Sequence, residues 1–257
     1  MKTTSYILVF TFILTFFNCK QSDPIETEYV LVWEDNFNKG YLDTTHWSKI
    51  GLFSTPKWKM PKEKWRDNTG CFRYITDTDD RVVQFDKENV ILRGIVNNDT
   101  INGDPRPLLT GGIYSYNKFA FQYGRIEARM KVAPGEGTWP AFWMLGTDLL
   151  DGNPWPECGE IDIIETRGVE PNMASGVLHG PGFGKGAGVG GTYQNPTPLS
   201  DAYHVYAVEW KKNKVDFYLD DRLIASETPS SFAPGRWVFN HKFFLILNLA
   251  MGGEFGG

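Results

Sequence analysis

Short runs of β-branched and aromatic residues recur along the chain after its N-terminal region, and Gly, Pro, Asn and Asp lie between them. Runs of this kind are typical of β-strands bounded by turns. No segment shows the sustained apolar spacing of three and four residues that a long helix requires. The predicted strands cover residues 30–33, 81–85, 90–96, 112–116, 124–132, 141–145, 160–165, 176–179, 204–210, 214–219 and 243–251.

The stretch from Arg125 to Val132 alternates strictly, with apolar residues at even-numbered positions and charged residues at odd-numbered positions. A period of two is expected of a strand that has one face in the core and the other in water or a cleft. Many short strands, without an internal repeat or a shift in composition, favour a single all-β antiparallel sandwich over two domains.

Composition agrees with an ordinary globular body, since 41% of the 257 residues are hydrophobic and 22% are charged. The formal net charge is −5, and Lys and Arg never occur in runs longer than two. Phosphate backbones are bound by concentrated basic patches, so nucleic acid is excluded as the main partner. The 9 Trp and 11 Tyr suit either a large core or a stacking surface.

The N-terminus has the features of an export signal: a short basic start precedes an apolar run that is too short to span a bilayer. Residues 1–18 are predicted to be a lipoprotein-type signal peptide, with Cys19 lipidated and residues 19–29 acting as a tether. Asn18 stands where Gly or Ala is usual, which leaves plain cleavage or a retained anchor as alternatives. The body is expected to be exported, either as an outer-membrane or cell-surface lipoprotein or as a periplasmic or extracellular protein. It should contact the membrane only through the lipid.

If Cys19 carries lipid, Cys71 and Cys158 remain, and the sequence leaves open whether they pair or stay as free thiols. The four His are isolated, without the spacing of a zinc site. We therefore expect no metal and no cofactor.

Three acidic residues stand close together in the run from Glu160 to Glu165. Residues two apart share a face of a strand, so Glu160 and Asp162 point one way while Ile161 and Ile163 point into the core. Glu165 is five residues from Glu160, and a regular strand would turn it inward. A bulge at Ile163 and Ile164 would return it to the carboxylate face.

Carboxylates crowded on one face repel each other, and the repulsion separates their pKa values. Retaining glycoside hydrolysis needs such a pair, one acid as nucleophile and one as acid/base. By itself the pattern also fits a solvated acidic strand face. Trp139 and Trp155 lie nearby in sequence, beside Gly and Pro, and indole rings beside carboxylates suit a sugar-binding cleft.

In this context the chain resembles glycoside hydrolase family 16, most closely its laminarinase-like branch of endo-β-1,3-glucanases. The resemblance implies a concanavalin-like jelly-roll of two curved antiparallel sheets over residues 30–257, with substrate across the concave sheet. The segments that carry the resemblance, in family order, are residues 32–37, 123–131, 137–146, 155–165, 178–182, 204–210 and 247–253.

The resemblance implies endo-hydrolysis of a β-linked polysaccharide with retention, most simply a β-1,3- or mixed β-1,3/1,4-glucan. It makes Glu160 the nucleophile, Glu165 the acid/base and Asp162 the residue that hydrogen-bonds the nucleophile. The residues it places at the substrate are Trp139, Trp143, Trp155, His179 and Arg125.

Three departures from the family pattern affect these expectations. Residues 65–74 differ from the usual segment on the glycone side and follow a Lys-rich insert, so an endo-β-galactosidase is a rival reading. The family continues past Gly253 with a further strand, so the domain is expected to be C-terminally truncated. Because Asn36 stands where an acid is usual, the family's structural calcium is not expected.

Two other classes of function remain open: a non-catalytic glycan-binding surface lipoprotein of the same fold, and a structural surface lipoprotein. The acid trio argues against both, because binding alone does not need the repulsion. In every case a monomer is expected.

Overall fold

The computed structural model describes residues 29–50, 80–96 and 108–257, and nearly all of their regular structure is β-strand. The 3-10 helix Thr147–Leu150 and the α-helix α1 (Gly253–Gly256) have four residues each. Long helices are thus absent from the described ranges, as predicted. The strands are β1 (Ser48–Lys49), β2 (Val83–Phe85), β3 (Val90–Leu92), β4 (Gly94–Val96), β5 (Leu108–Thr110), β6 (Gly112–Tyr114), β7 (Gly124–Met130), β8 (Thr138–Gly146), β9 (Glu160–Arg167), β10 (Glu170–His179), β11 (Val189–Gln194), β12 (His204–Lys211), β13 (Lys214–Leu219), β14 (Arg222–Glu227) and β15 (Phe243–Met251).

Residues Trp33–Gly257 form one compact unit built on two main sheets. The larger has seven strands in the order β1-β6-β15-β8-β9-β10-β11, and the smaller has four in the order β14-β13-β12-β7. Strands β2 and β3 pair with each other, as do β4 and β5. All of these pairings are antiparallel, which confirms the sheet type predicted from the alternating pattern.

The main core contains large side chains from both sheets. Trp210 and Phe217 of the smaller sheet and Phe142 and Met144 of the larger sheet are buried in the same cluster. The alternation predicted for β7 is present, since Ile126 is buried whereas Arg125 is partly exposed. The face of the larger sheet that carries Phe142 is therefore the inner face. The opposite face carries Leu145, Phe244 and Ile246, which belong to a second, smaller cluster against which Trp143 and Trp155 pack.

One predicted strand is wrong. Val30, Leu31 and Val32 lie in no strand and are 78, 73 and 81% exposed. A β-branched run becomes a strand only where a neighbour pairs with its backbone, and the described sheets contain no such partner for these residues.

The sequence pattern also missed β11, where Gly190 and Gly191 occupy the middle of the strand. Glycine has low strand propensity, but a Cβ atom at Gly190 would lie 2.0 Å from the backbone oxygen of Gly176 on the neighbouring strand. The close approach of the two backbones therefore requires glycine. No helix in the described residues is both long enough and apolar enough to cross a membrane.

Candidate active site

Strand β9 contains a bulge that places its acidic residues. On the β8 side, Phe142 is opposite Ile164 and Trp143 is opposite Asp162, so Ile163 is an extra residue without a partner. The pairing with β10 shifts at the same place, where Ser175 is opposite Glu165. The bulge predicted from residue spacing is therefore present.

The bulge brings three carboxylates to the outer face of the larger sheet. Directly opposed residues of neighbouring strands share a face. Glu160, Asp162 and Glu165 are opposite Leu145, Trp143 and Ala141 of β8. On the inner face, Ile161 and Ile164 are 0 and 1% exposed and pack with Phe142 and Met144.

Glu165 is held by the indole of Trp139, whose Nε1–H donates a hydrogen bond of 2.8 Å to Oε1. Burial, together with the nearby charge of Glu160, raises the pKa of the Glu165 carboxyl to about 7, although the indole bond favours the charged form. A carboxyl with this pKa keeps its proton in mildly acidic solution and can deliver it.

Asp162 lies between the two glutamates and is 1% exposed. Burial raises its pKa well above the ordinary range, and the charges of Glu160 and Glu165 add to the effect. Its Oδ2 atom lies 3.5 Å from Nε2 of His179, whose other ring nitrogen is 2.7 Å from the backbone oxygen of Ala187. A protonated Asp162 can donate a hydrogen bond to a neighbouring carboxylate.

Glu160 is opposite His179 on β10, so β10 flanks Glu160 on the side away from β8. Burial raises the pKa of Glu160, and His179, Asp162 and Trp155 each oppose that rise by favouring its charged form. The buried Nε1–H of Trp155 has no hydrogen-bond partner at bonding distance within the described residues. The indole of Trp155 lies beside the imidazole of His179, with 6.3 Å between the ring centroids.

The tryptophans have more specific contacts than their positions in the sequence suggested. The ring of Trp139 packs on Phe255, with centroids 4.7 Å apart, while its N–H holds Glu165. Trp143 donates from Nε1 to Oδ1 of Asn248 at 2.6 Å. Neither Asn248 nor Phe255 is among the site residues predicted from the sequence. A lone amide inside the buried apolar run of β15 is the signal that would have identified Asn248.

Among the predicted site residues that the structure describes, Arg125 is the one that lies on the other sheet. It lies on β7 in the smaller sheet, at an odd-numbered position that faces away from the core. Its guanidinium pairs with Glu127 at 2.8 Å, Glu209 at 3.3 Å and Asp221 at 3.1 Å. The expectation that Arg125 contacts substrate is corrected: it joins charged residues across the outer surface of that sheet.

Cys158 is a buried free thiol, and burial raises its pKa to about 12, so it is not a thiolate near neutral pH. The predictions for residues 1–28, including Cys19, and those for residues 65–74 and Cys71 lie outside the described residues.

Comparison with known proteins places this geometry in context. The family model "Glycosyl hydrolases family 16" matches residues 75–242. Glucan endo-1,3-beta-glucosidase A1 of Niallia circulans is 32% identical over 249 residues, which cover 92% of this chain and 36% of that protein. Keratan-sulfate endo-1,4-beta-galactosidase of Sphingobacterium multivorum is 31% identical over 233 residues, which cover 90% of this chain and 51% of that protein.

Among solved structures, the laminarinase catalytic domain from Thermotoga maritima MSB8 is similar with a TM-score of 0.77 and 29% identity, covering 90% of each chain. This likeness confirms the predicted jelly-roll sandwich. The chain thus spans most of a solved catalytic domain, but only about a third to a half of the two curated relatives.

Proposed function

The chain belongs to glycosyl hydrolase family 16, and from that membership we propose that it cleaves internal β-linkages of a β-1,3- or mixed β-1,3/1,4-glucan with retention of configuration. The observation that carries the proposal is the bulge in β9, because it sets Glu160 and Glu165 on one face of the sheet. The names of similar proteins, an endo-1,3-glucosidase and a laminarinase among them, support a glucan as substrate.

In the proposed first step, Glu160 attacks the anomeric carbon, and the bond between this carbon and the glycosidic oxygen breaks. Glu165 delivers its proton to that oxygen, so the leaving chain departs as an alcohol and a glycosyl-enzyme ester forms. In the second step, Glu165 takes a proton from water, the water attacks the anomeric carbon, and Glu160 is released. Two displacements at one carbon restore the original configuration.

The electrostatics of the site suit this division of roles. The pKa of about 7 keeps Glu165 protonated in mildly acidic solution. His179 and Asp162 favour the charged form of Glu160. Asp162, whose own pKa is raised, keeps a proton that it can share with the nucleophile. The proposed reaction uses no cofactor.

Product analysis over a polysaccharide panel tests the proposal. On laminarin and lichenan we expect new reducing ends, a spread of oligosaccharide lengths and, by NMR during the first turnovers, the β-anomer. Tight binding without new reducing ends would make the chain a glycan-binding protein. Cleavage of keratan sulfate alone would replace the glucanase with an endo-β-galactosidase, which the keratan-active relative makes the second candidate.

The contact between Trp139 and Glu165 gives a further prediction. Trp139→Phe removes the N–H that favours the charged carboxylate, so the pKa of Glu165 should rise and the alkaline limb of the pH–rate profile should move to higher pH. Looser positioning of the acid should lower kcat by about 10- to 100-fold. The measurement is kcat on laminarin across pH 5–9.

Trp237→Phe is the matched control for this substitution. The Trp237 indole packs with Phe232 and Phe239, and its N–H lies 3.4 Å from Asn240, so the change should leave the profile in place. An alkaline limb that stays where it is in Trp139→Phe would contradict the assigned role of Trp139.

We also propose that residues 30–257 act as a catalytic domain outside the cytoplasm, behind a signal peptide over residues 1–18 and a tether over residues 19–29. The apolar run and the cysteine that follows it support export and a lipid anchor on Cys19. The proposed partner is a polysaccharide, and the proposed state is a monomer.

A further inference from the structure

We propose that Glu160, Asp162 and His179 bind a borderline divalent cation such as Zn²⁺, and that the bound ion inhibits the enzyme. One oxygen of each carboxylate and one nitrogen of the imidazole lie within 4.8 Å of one another. The metal site depends only on this geometry. The inhibition rests on the proposed function, because it requires Glu160 to be the nucleophile.

The imidazole of His179 is oriented as a ligand would be. Its Nδ1 lies 2.7 Å from the backbone oxygen of Ala187, a distance at which Nδ1 donates its hydrogen. In the neutral imidazole, Nε2 then carries the lone pair, and it lies 3.5 Å from Oδ2 of Asp162. Histidines that ligate metals are usually held in this way, with the second ring nitrogen donating to a carbonyl or a carboxylate.

Asp162 offers an oxygen that lacks a partner. Its Oδ2 atom is buried and has no hydrogen bond within the described residues, and it lies 3.5 Å from Nε2 of His179. Neighbouring ligands of a tetrahedral Zn²⁺, with bonds of about 2.0–2.1 Å, are about 3.3–3.4 Å apart. A cation bound between the two atoms would displace the proton that Asp162 otherwise keeps. It would also give the buried oxygen a partner, the lack of which is costly.

The donor set selects the class of ion. Two carboxylate oxygens and one imidazole nitrogen suit Zn²⁺ and its transition-metal neighbours, whereas Mg²⁺ and Ca²⁺ prefer oxygen donors alone. Three protein ligands on the outer face of the sheet leave a fourth position for water. An ion that holds an oxygen of Glu160 withdraws the electron pair that would attack the anomeric carbon, so we expect inhibition that competes with substrate.

The test is calorimetric titration of the chelator-treated, full-length protein with ZnCl₂, together with anomalous diffraction at the zinc edge. We expect one ion at the three residues and no comparable binding of MgCl₂. His179→Ala and the isosteric Asp162→Asn should each weaken binding at least about tenfold, because each removes a ligand. His204→Ala is the matched control, since His204 also pairs with a carboxylate, Asp220 at 2.6 Å, but on the smaller sheet.

Absence of binding, an anomalous peak away from the three residues, or wild-type affinity in both ligand variants would overturn the metal site. Zinc bound at the site with undiminished hydrolysis of laminarin would overturn the inhibition. Zinc bound at the site in a chain that cleaves no glycan would support the metal site while overturning the proposed function. The two proposals can therefore fail separately.

Discussion

Glu160→Ala should reduce turnover of laminarin by roughly 10⁴-fold or more, because loss of a nucleophile removes the covalent step. Glu160 lies on the outer face of the larger sheet, opposite Leu145 and His179, and takes no part in the main core. The variant should therefore fold and still bind glycan. The measurement is the initial rate of reducing-end release, beside a binding titration with laminarin oligosaccharides.

Sodium azide separates loss of a nucleophile from general damage to the site. The small anion fits the space left by the carboxylate and attacks from the same side, so the product should be a glycosyl azide of inverted configuration. Glu127→Ala is the matched control, because Glu127 lies on the smaller sheet and is 52% exposed. A near-normal rate in Glu160→Ala would show that the nucleophile has been assigned to the wrong residue.

Glu165→Ala should slow hydrolysis of laminarin by about 10²–10⁴-fold, the usual contribution of a general acid. The loss should depend on the leaving group. The leaving group of a 2,4-dinitrophenyl glycoside departs without protonation. Formation of the glycosyl-enzyme from this substrate should therefore proceed at nearly the wild-type rate. The measurement is the pre-steady-state burst of 2,4-dinitrophenolate compared with the steady-state rate.

The pH dependence of the wild-type enzyme tests the same residue. Glu165 acts as an acid only while it is protonated, and its raised pKa of about 7 extends the protonated form upward from the ordinary carboxylic range. The rate on laminarin should therefore fall as pH rises through about 7, and Glu165→Ala should lack this limb. Glu170→Ala, which changes a partly exposed acid paired with Arg167, should keep it. A limb that persists without Glu165 would assign the titration to another group.

Much of the architecture follows from the one-dimensional pattern. Strict alternation over β7 predicted which side chains are buried, because neighbouring side chains of a strand must point to opposite faces. The same rule showed that Glu165 needs one extra residue to join Glu160, and the bulge at Ile163 provides it. The pattern was wrong where the preference of a residue and the pairing of its backbone disagree. It predicted a strand at Val30 that does not form, and it missed the strand that contains Gly190, since strand formation depends on a neighbouring strand.

The pattern of residue types along the chain could not predict contacts across strands or between loops. Position along the chain could not show that Trp139 packs on Phe255 while its N–H holds Glu165, or that Trp143 bonds Asn248 of another strand. The same is true of Arg125. The spacing predicted correctly that its side chain faces away from the core, but not which of the two sheets carries it.

By itself, then, the sequence determined the class of fold and the side of β9 on which its acids stand, because both depend on covalent spacing and the two-residue period of a strand. The tertiary structure alone decided which groups surround those acids. The positions of His179 and Trp139 relative to the carboxylates depend on register between strands, and Trp155 lies beside His179 from the turn that precedes β9. Burial raises the pKa of each acid, whereas His179 and Trp155 oppose the rise at Glu160 and Trp139 opposes it at Glu165. The chemistry of the site therefore emerges only in the folded chain.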